Sequence, residues 1–267
     1  MKKQMKKLFL GSLLAVCTLL MTSCLDGGNN ETQNFAYGII DYSEKTLKPI
    51  IYSTHGPFYS AQIEKSFFEG KLDRGDCCYF HYILNMDIPE NSSESTSVNE
   101  YYTVTVDDYF DIPQGRLSSS LQDTTIIAPE EMLVSLIDSD NSGFLATKKD
   151  IQMLLIATIH EDYDKNQEQE FSLSYDVDQE PELVNGENVY NLYLRVVKTK
   201  EGEKSLSSKQ GFINAFNITQ FLNTMKYKGE KKVNVRVNCI ESLNEEKTEI
   251  ADWVSSNVLT YTFPKEE

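Results

Sequence analysis

Residues 232–240 alternate without a break, with Val233, Val235, Val237 and Cys239 on one parity and Asn234, Arg236 and Asn238 on the other. Successive side chains of a strand point to opposite faces, so this pattern reads as an antiparallel strand with one dry and one wet face. The same rhythm puts Phe171, Leu173 and Tyr175 on one face of residues 170–177, and Tyr190, Leu192, Leu194 and Val196 on one face of 189–199. Residues 151–160 form a clear apolar run, and 254–263 read as a closing strand with Trp253 at its start. Strands at this spacing point to a two-sheet sandwich. Residues 130–137 fit either a helix or a strand, and Asn217 is a candidate N-cap for one helical turn through Met225.

Upstream, residues 35–42 and 48–53 read as strands, with Pro49 marking a strand start or an edge. Residues 58–68 are mixed. A turn-rich stretch at 70–76 enters residues 77–88, which are apolar on both parities: Cys78, Phe80, Tyr82, Leu84 and Met86 on one, Cys77, Tyr79 and Ile83 on the other. Burial on both faces or a tight barrel accounts for that. A polar loop at 90–97 and a strand at 101–106 complete five short strands, enough for a small barrel. The proline, glycine and serines of 113–120 look like a linker. The chain is therefore expected to be all-β, with a barrel over 35–112, a linker over 113–123 and a β-sandwich over 124–267.

Before residue 35 the chemistry changes. Lys2, Lys3, Lys6 and Lys7 precede an apolar run over 8–21. Fourteen helical residues span about 21 Å, short of the roughly 30 Å hydrocarbon core of a bilayer, so a secretory signal fits better than a membrane helix. The run closes on Met21-Thr22-Ser23-Cys24, small residues before a cysteine, as in a bacterial lipobox. The expectation is a signal peptide over 1–23, acylation (palmitate) of Cys24, and a polar tether over 24–34. More than one acyl chain gives stable anchoring. The body is more acidic than the whole chain's net charge of −16, because residues 1–23 hold four lysines and no acid. Such a body should repel nucleic acid.

Cys17 leaves with the signal and Cys24 takes the lipid, so Cys77, Cys78 and Cys239 remain, an odd number. Neighbouring strand residues face apart, so Cys77 and Cys78 should not bridge each other. Three buried free thiols is the preferred reading; pairing of Cys239 with Cys77 or Cys78 stays open.

Few constellations resemble chemistry. Asp138, Asp140 and Ser142 imitate the start of a calcium loop, but Lys149 stands where a bidentate acid belongs, and a polar turn is preferred. His160-Glu161-Asp162-Tyr163-Asp164 sets one imidazole among carboxylates at a strand end, a conceivable divalent-metal site whose plainer reading is a solvated loop. Asp107, Asp108 and Asp111 could be read as a glycosidase pair, which needs two carboxyls across a cleft, but adjacent acids arise by chance in so acidic a chain. His55 and His81 lack partners in sequence, and His81 reads as a packed strand residue. Tyr79-Phe80 and Tyr101-Tyr102 could line an aromatic platform, though strand aromatics are more often core. No catalytic residue, resident metal or cofactor is expected.

The Thr-Ser-Cys lipobox, the Gly75-Asp76 turn, and the runs Tyr190-Asn191-Leu192-Tyr193-Leu194-Arg195, Ala215-Phe216-Asn217-Ile218 and Lys232-Val233-Asn234-Val235-Arg236-Val237 together resemble the NigD-like lipoproteins of Gram-negative gut and oral anaerobes. The resemblance implies an N-terminal OB-like barrel and a C-terminal immunoglobulin-like antiparallel sandwich. It supplies no catalytic residues. The double cysteine and the acidic insert at 138–150 depart from it. The expected role is a non-catalytic lipoprotein of the cell envelope, anchored to the outer membrane and facing the periplasm or the cell surface. Its partner would be an envelope protein, a peptide or a glycan. The alternatives are an immunity lipoprotein related to bacteriocins, from the family name, and a metal-assisted hydrolase.

Overall fold

The computed structural model describes residues 30–137, 142–148, 150–204 and 209–264. The chain divides into two compact units, one reaching to Gln114 and including Leu145–Met153, the other made of Gly115–Phe144 and the residues from Leu154 onward.

The first unit holds β1 (Glu31–Tyr42), β2 (Pro49–Ser53), β3 (Gly56–Tyr59), α1 (Ala61–Phe68), β4 (Cys77–Asn85), a 3-10 turn at Pro89–Asn91, α2 (Ser93–Asn99) and β5 (Tyr102–Ile112). The strands close as β1-β2-β3-β5-β4. Closure falls on β1, which pairs antiparallel with β4 from Glu31 to Ile39 and with β2 from Gly38 to Tyr42. Gly38 sits in both ladders. A Cβ there would overlap Ile51 Cγ2 and lie 3.2 Å from Phe80 Cε1 and from the Tyr52 carbonyl oxygen. Only glycine lets the strand pass that close to the packed interior. Ala36, Ile40, Ile51, Phe58, Cys78, Phe80, Tyr82 and Val106 fill the barrel, and Ile63 of α1 plugs it with no exposed surface.

The mixed stretch at 58–68 resolves into the end of β3 and then α1. The loop read at 90–97 carries α2, capped by Ser92 Oγ accepting from the Ser95 amide at 3.3 Å. Buried Asn91 clips this connection to the barrel, donating to the carbonyls of Asn85 (2.7 Å) and Thr103 (2.8 Å) and accepting from the Thr103 amide (2.7 Å). The Gly75-Asp76 turn docks on β1 through Gly75 N to Ile40 O (2.8 Å) and Ile40 N to Asp76 O (2.9 Å). Gly75 takes φ +93°, the left-handed region where glycine is at ease.

The second unit contains β6 (Gln114–Ser118), β7 (Ser135–Leu136), β8 (Gly143–Ala146), β9 (Gln152–His160), β10 (Glu168–Ser174), β11 (Glu182–Val184), β12 (Glu187–Lys200), β13 (Gln210–Asn217), α3 (Thr219–Tyr227), β14 (Lys232–Leu243), β15 (Ile250–Ser255) and β16 (Leu259–Thr262). The hairpin of β8 and β9 runs across the division between units. The strands form one path, β15-β14-β12-β10-β6-β13-β9-β7, curled over a single core that includes Leu154, Phe171, Leu192, Phe216, Phe221 and Val235. This larger sheet stands where the antiparallel sandwich was expected, and it is mixed: β6 pairs parallel with β10, and β12 parallel with β14. The stretch read as a linker contributes β6, so Gln114–Ser118 is built into the sheet. The expected closing strand is two pieces, β15 and β16, both antiparallel to β14. α3 starts one residue later than the Asn217 cap implied, with Asn217 Oδ1 accepting from the Thr219 amide at 3.1 Å.

The face of β14 expected to be wet is dry. Asn234 and Asn238 are buried at 2% and 5% exposure. Asn234 Nδ2 donates to the Asn188 carbonyl (3.0 Å), and its Oδ1 accepts from Thr260 Oγ1 (2.8 Å). Asn238 Nδ2 donates to the Leu192 carbonyl (3.2 Å), and its Oδ1 accepts from Ser255 Oγ (2.6 Å). Buried amides are tolerated because both ends of each find partners.

One buried ion pair holds the long segment after β6. Arg195 on β12 forms a two-pronged pair with Glu131, whose side chain has no exposed surface. Its remaining donors reach the carbonyls of Asp123 (2.9 Å) and Ile126 (3.0 Å). Trp253 Nε1 donates to the Thr124 carbonyl at 3.2 Å.

Gly38→Val should destabilise the protein by about 1–3 kcal/mol in urea titrations; an unchanged midpoint would mean the interior has room there. Arg195→Met should cost about 3–5 kcal/mol by stranding Glu131, and the double change Arg195→Met with Glu131→Leu should recover most of that loss. Equal losses in the single and double variants would show that the pair itself stabilises the unit.

Candidate functional site

Barrel closure sorts the residues of β1, β4 and β5 into two faces. Ala36 and Ile40 point inward with Cys78, Phe80 and Tyr82, so Phe35 and Tyr37 point outward with Tyr79 and His81. The register sets Phe35 opposite His81 and Tyr37 opposite Tyr79, and β5 adds Phe110 opposite Tyr79. The rings touch: Phe35 and Tyr79 stack at 5.4 Å with planes 10° apart, Phe35 and His81 lie 4.7 Å apart, and Tyr37 and Tyr79 4.9 Å apart. Phe35 is 40% exposed. A bulge between His81 and Tyr82 in the pairing with β5 brings Asp107 beside the imidazole, with His81 Nδ1 2.6 Å from Asp107 Oδ1. That hydrogen bond holds the Asp107 carboxyl below the usual aspartate value.

The second unit carries an open groove of about 1030 Å³ between β6 and α3. It is lined by Arg116, Leu117, Ser118, Ser119, Tyr175, Asn217, Thr219, Gln220, Asn223, Thr224 and Tyr227. Amides and hydroxyls dominate, and they both donate and accept hydrogen bonds.

The sequence candidates separate. Cys24, Asp138 and Asp140 lie outside the described residues. Ser142 is described, and its Oγ accepts from the Ala157 amide at 3.1 Å. Among the described residues no group of three or more His, Cys, Asp or Glu side chains is placed to hold a metal ion. The five-residue cluster at 160–164 does not converge. His160 turns into the core with no exposed surface, against the rings of Phe212 (4.6 Å), Phe171 (5.7 Å) and Tyr163 (6.2 Å). Its Nδ1 has no hydrogen-bond partner and its Nε2 is 3.5 Å from Thr158 Oγ1. Glu161 instead pairs with Lys209 at 2.8 Å. Asp108 and Asp111 sit three apart on β5 and face opposite sides, so they share no cleft.

Phe80 and Tyr101 are core, whereas Tyr79 is on the outer face. His55 meets Tyr82, Nδ1 to OH, at 3.1 Å. Cys77, Cys78 and Cys239 are free and buried. Burial raises the Cys77 thiol to about 12 and the Cys239 thiol to about 11, so neither is a ready nucleophile. The reading of residues singly missed the pairing of Phe35 and Tyr37 with Tyr79 and His81. The signal was present as two aromatic i, i+2 pairs, Phe35-Ala36-Tyr37 and Tyr79-Phe80-His81, on strands that a closed barrel brings side by side.

His160 makes a pH prediction. Burial lowers its pKa from 6.5 to about 4. The neutral ring is favoured in the folded state, so its contribution is whole above pH 6.5 and is lost as the pH falls towards 4. The loss is about 1.4 kcal/mol per pH unit across that window, about 3 kcal/mol in all. Chemical denaturation between pH 7 and 4 should show a shallower slope for His160→Phe than for the parent. Identical slopes would contradict the buried neutral ring.

A family model, lipoprotein OB domain, matches residues 28–109. An uncharacterised protein from Parabacteroides merdae, solved by crystallography, is 26% identical, covers 87% of this chain and 100% of its own, and superposes with a TM-score of 0.76. A candidate lipoprotein from Bacteroides fragilis shares the fold at 11% identity and TM-score 0.51, over 88% of this chain and 100% of that one. A NigD-like immunity protein from Bacteroides caccae aligns over 89% and 99% at 7% identity and TM-score 0.41, too distant to bear on the argument. Among curated proteins none matches. The closed five-strand barrel and its inserted helix agree with the match of the lipoprotein OB domain model to residues 28–109.

Proposed function

We propose that the protein is a non-catalytic lipoprotein of the cell envelope, held at the outer membrane by lipid on Cys24, and that its two β units serve binding or assembly. The lipoprotein OB domain match over 28–109 is the observation that carries this reading, and it begins four residues after Cys24. The lysines and apolar run ahead of Thr22-Ser23-Cys24 support it. No helix among the described residues is long and apolar enough to cross a membrane. An acyl chain contributes about 0.8 kcal/mol per buried CH₂, so anchoring needs nothing from the folded units. The reading as a binder draws on the outer barrel face and the polar groove, both of which present side chains suited to contact rather than to bond making.

Cys24→Ser should abolish incorporation of labelled palmitate and move the protein from the membrane to the soluble fraction, with the fold unchanged. Retention of label and of membrane association in the variant would overturn the anchor.

A further inference from the structure

The outer face of β1, β4 and β5 combines aromatic rings with acidic side chains. The three strands contain no lysine or arginine. Glu31, Asp107 and Asp108 lie on the side that carries Phe35, Tyr37, Tyr79 and Phe110. Glu31 accepts from Asn85 Nδ2 (2.9 Å) beyond one end of the ring cluster, and Asp107 and Asp108, both exposed, border it along β5. His81 is held among them by Asp107. Aromatic rings on a sheet usually pack under a neighbouring layer, yet Phe35 keeps 40% of its surface open to solvent.

Ring faces attract cations through their quadrupole, and the methylene stems of arginine and lysine pack on apolar rings while their heads stay at the wet border. Carboxylates at that border complete the match. We propose that this face docks a cationic peptide segment, with arginine or lysine stems across Phe35, Tyr37 and Tyr79 and their charged heads on Asp107, Asp108 and Glu31. The chain's net charge of −16 steers such a segment towards the protein, and the face determines where it rests. A neutral saccharide would use the rings and leave the carboxylates without a counter-charge. This deepens the binding role proposed above and rests on it. Its test is made in solution, so anchoring through Cys24 fails or succeeds separately.

The experiment is calorimetric titration of the purified full chain with a synthetic peptide of alternating arginine and glycine, at low and at physiological ionic strength. A glutamate-glycine peptide and maltoheptaose serve as comparators. The arginine peptide should bind saturably and more weakly as salt rises. Phe35→Ser and Asp108→Asn should each weaken it about tenfold, the loss of one ring contact or one charge pair. Glu245→Gln with Glu246→Gln, exposed acids of the second unit, should leave it unchanged. Asp108 is exposed, so its variant decides the matter if Phe35→Ser fails to fold. Absent binding, equal binding of the glutamate peptide, equal loss in the remote pair, or maltoheptaose binding that Phe35→Ser abolishes while the arginine peptide stays unbound would each overturn the proposal.

Discussion

β1 carries two ladders, to β4 over Glu31–Ile39 and to β2 over Gly38–Tyr42, and the first unit follows from that. β1 crosses from one ladder to the other at Gly38 and Ile39, and at Gly38 the packed interior leaves no space for a side chain. Once the crossing is set, the period of two decides every other side chain of the strand. Ala36 and Ile40 enter the core, and Phe35 and Tyr37 are turned out. β4 is locked to β1 by nine register pairs, so Tyr79 and His81 must lie beside those rings. The aromatic face is a consequence of closing the barrel with this sequence, and a slip of one residue would bury it.

The second unit meets a different difficulty. Its segment from 119 to 134 is long and has little sheet pairing, so its backbone carbonyls need donors. Arg195 supplies them from the sheet, and Glu131 neutralises the charge that burial would otherwise make costly. Asn234 and Asn238 do comparable service around β14, joining β12 to β15 and β16 through amide hydrogen bonds. These polar contacts lie around a continuous apolar core, where burial of Phe216 and Phe221 contributes about 1.5–3 kcal/mol each.

Much of this architecture was legible in order of residue. Alternation in 170–177, 189–199 and 232–240 located β10, β12 and β14, and the doubly apolar 77–88 announced a barrel strand. Polarity misled where burial and hydrogen bonding coexist. Asn234 and Asn238 look solvated in one dimension because the groups that satisfy them, on β12, β15 and β16, are distant in sequence. Gln114–Ser118 looked like a linker because Gly115 and its serines fit a loop, but the strand it forms pairs with β10, more than fifty residues on. His160 reads as part of a solvated loop because acids follow it; strand parity sends it inward with Leu154 and Ile156, away from them. His81 with Asp107 was invisible because their approach depends on a bulge.

Anchor and body make different demands on the chain. The lipid reading asks only for residues 1–24, and among the described residues β1 is the first element, beginning at Glu31 within the span expected as tether. Its pairing with both β2 and β4 is the claim on which the outer face depends. Hydrogen exchange of the full chain, followed by mass spectrometry, tests that claim directly. Peptides covering residues 35–41 should exchange only through global unfolding, as slowly as the core of β4. Exchange of those residues on the fast time scale of an edge strand would show that β1 does not close the barrel, and the ordered aromatic face would go with it.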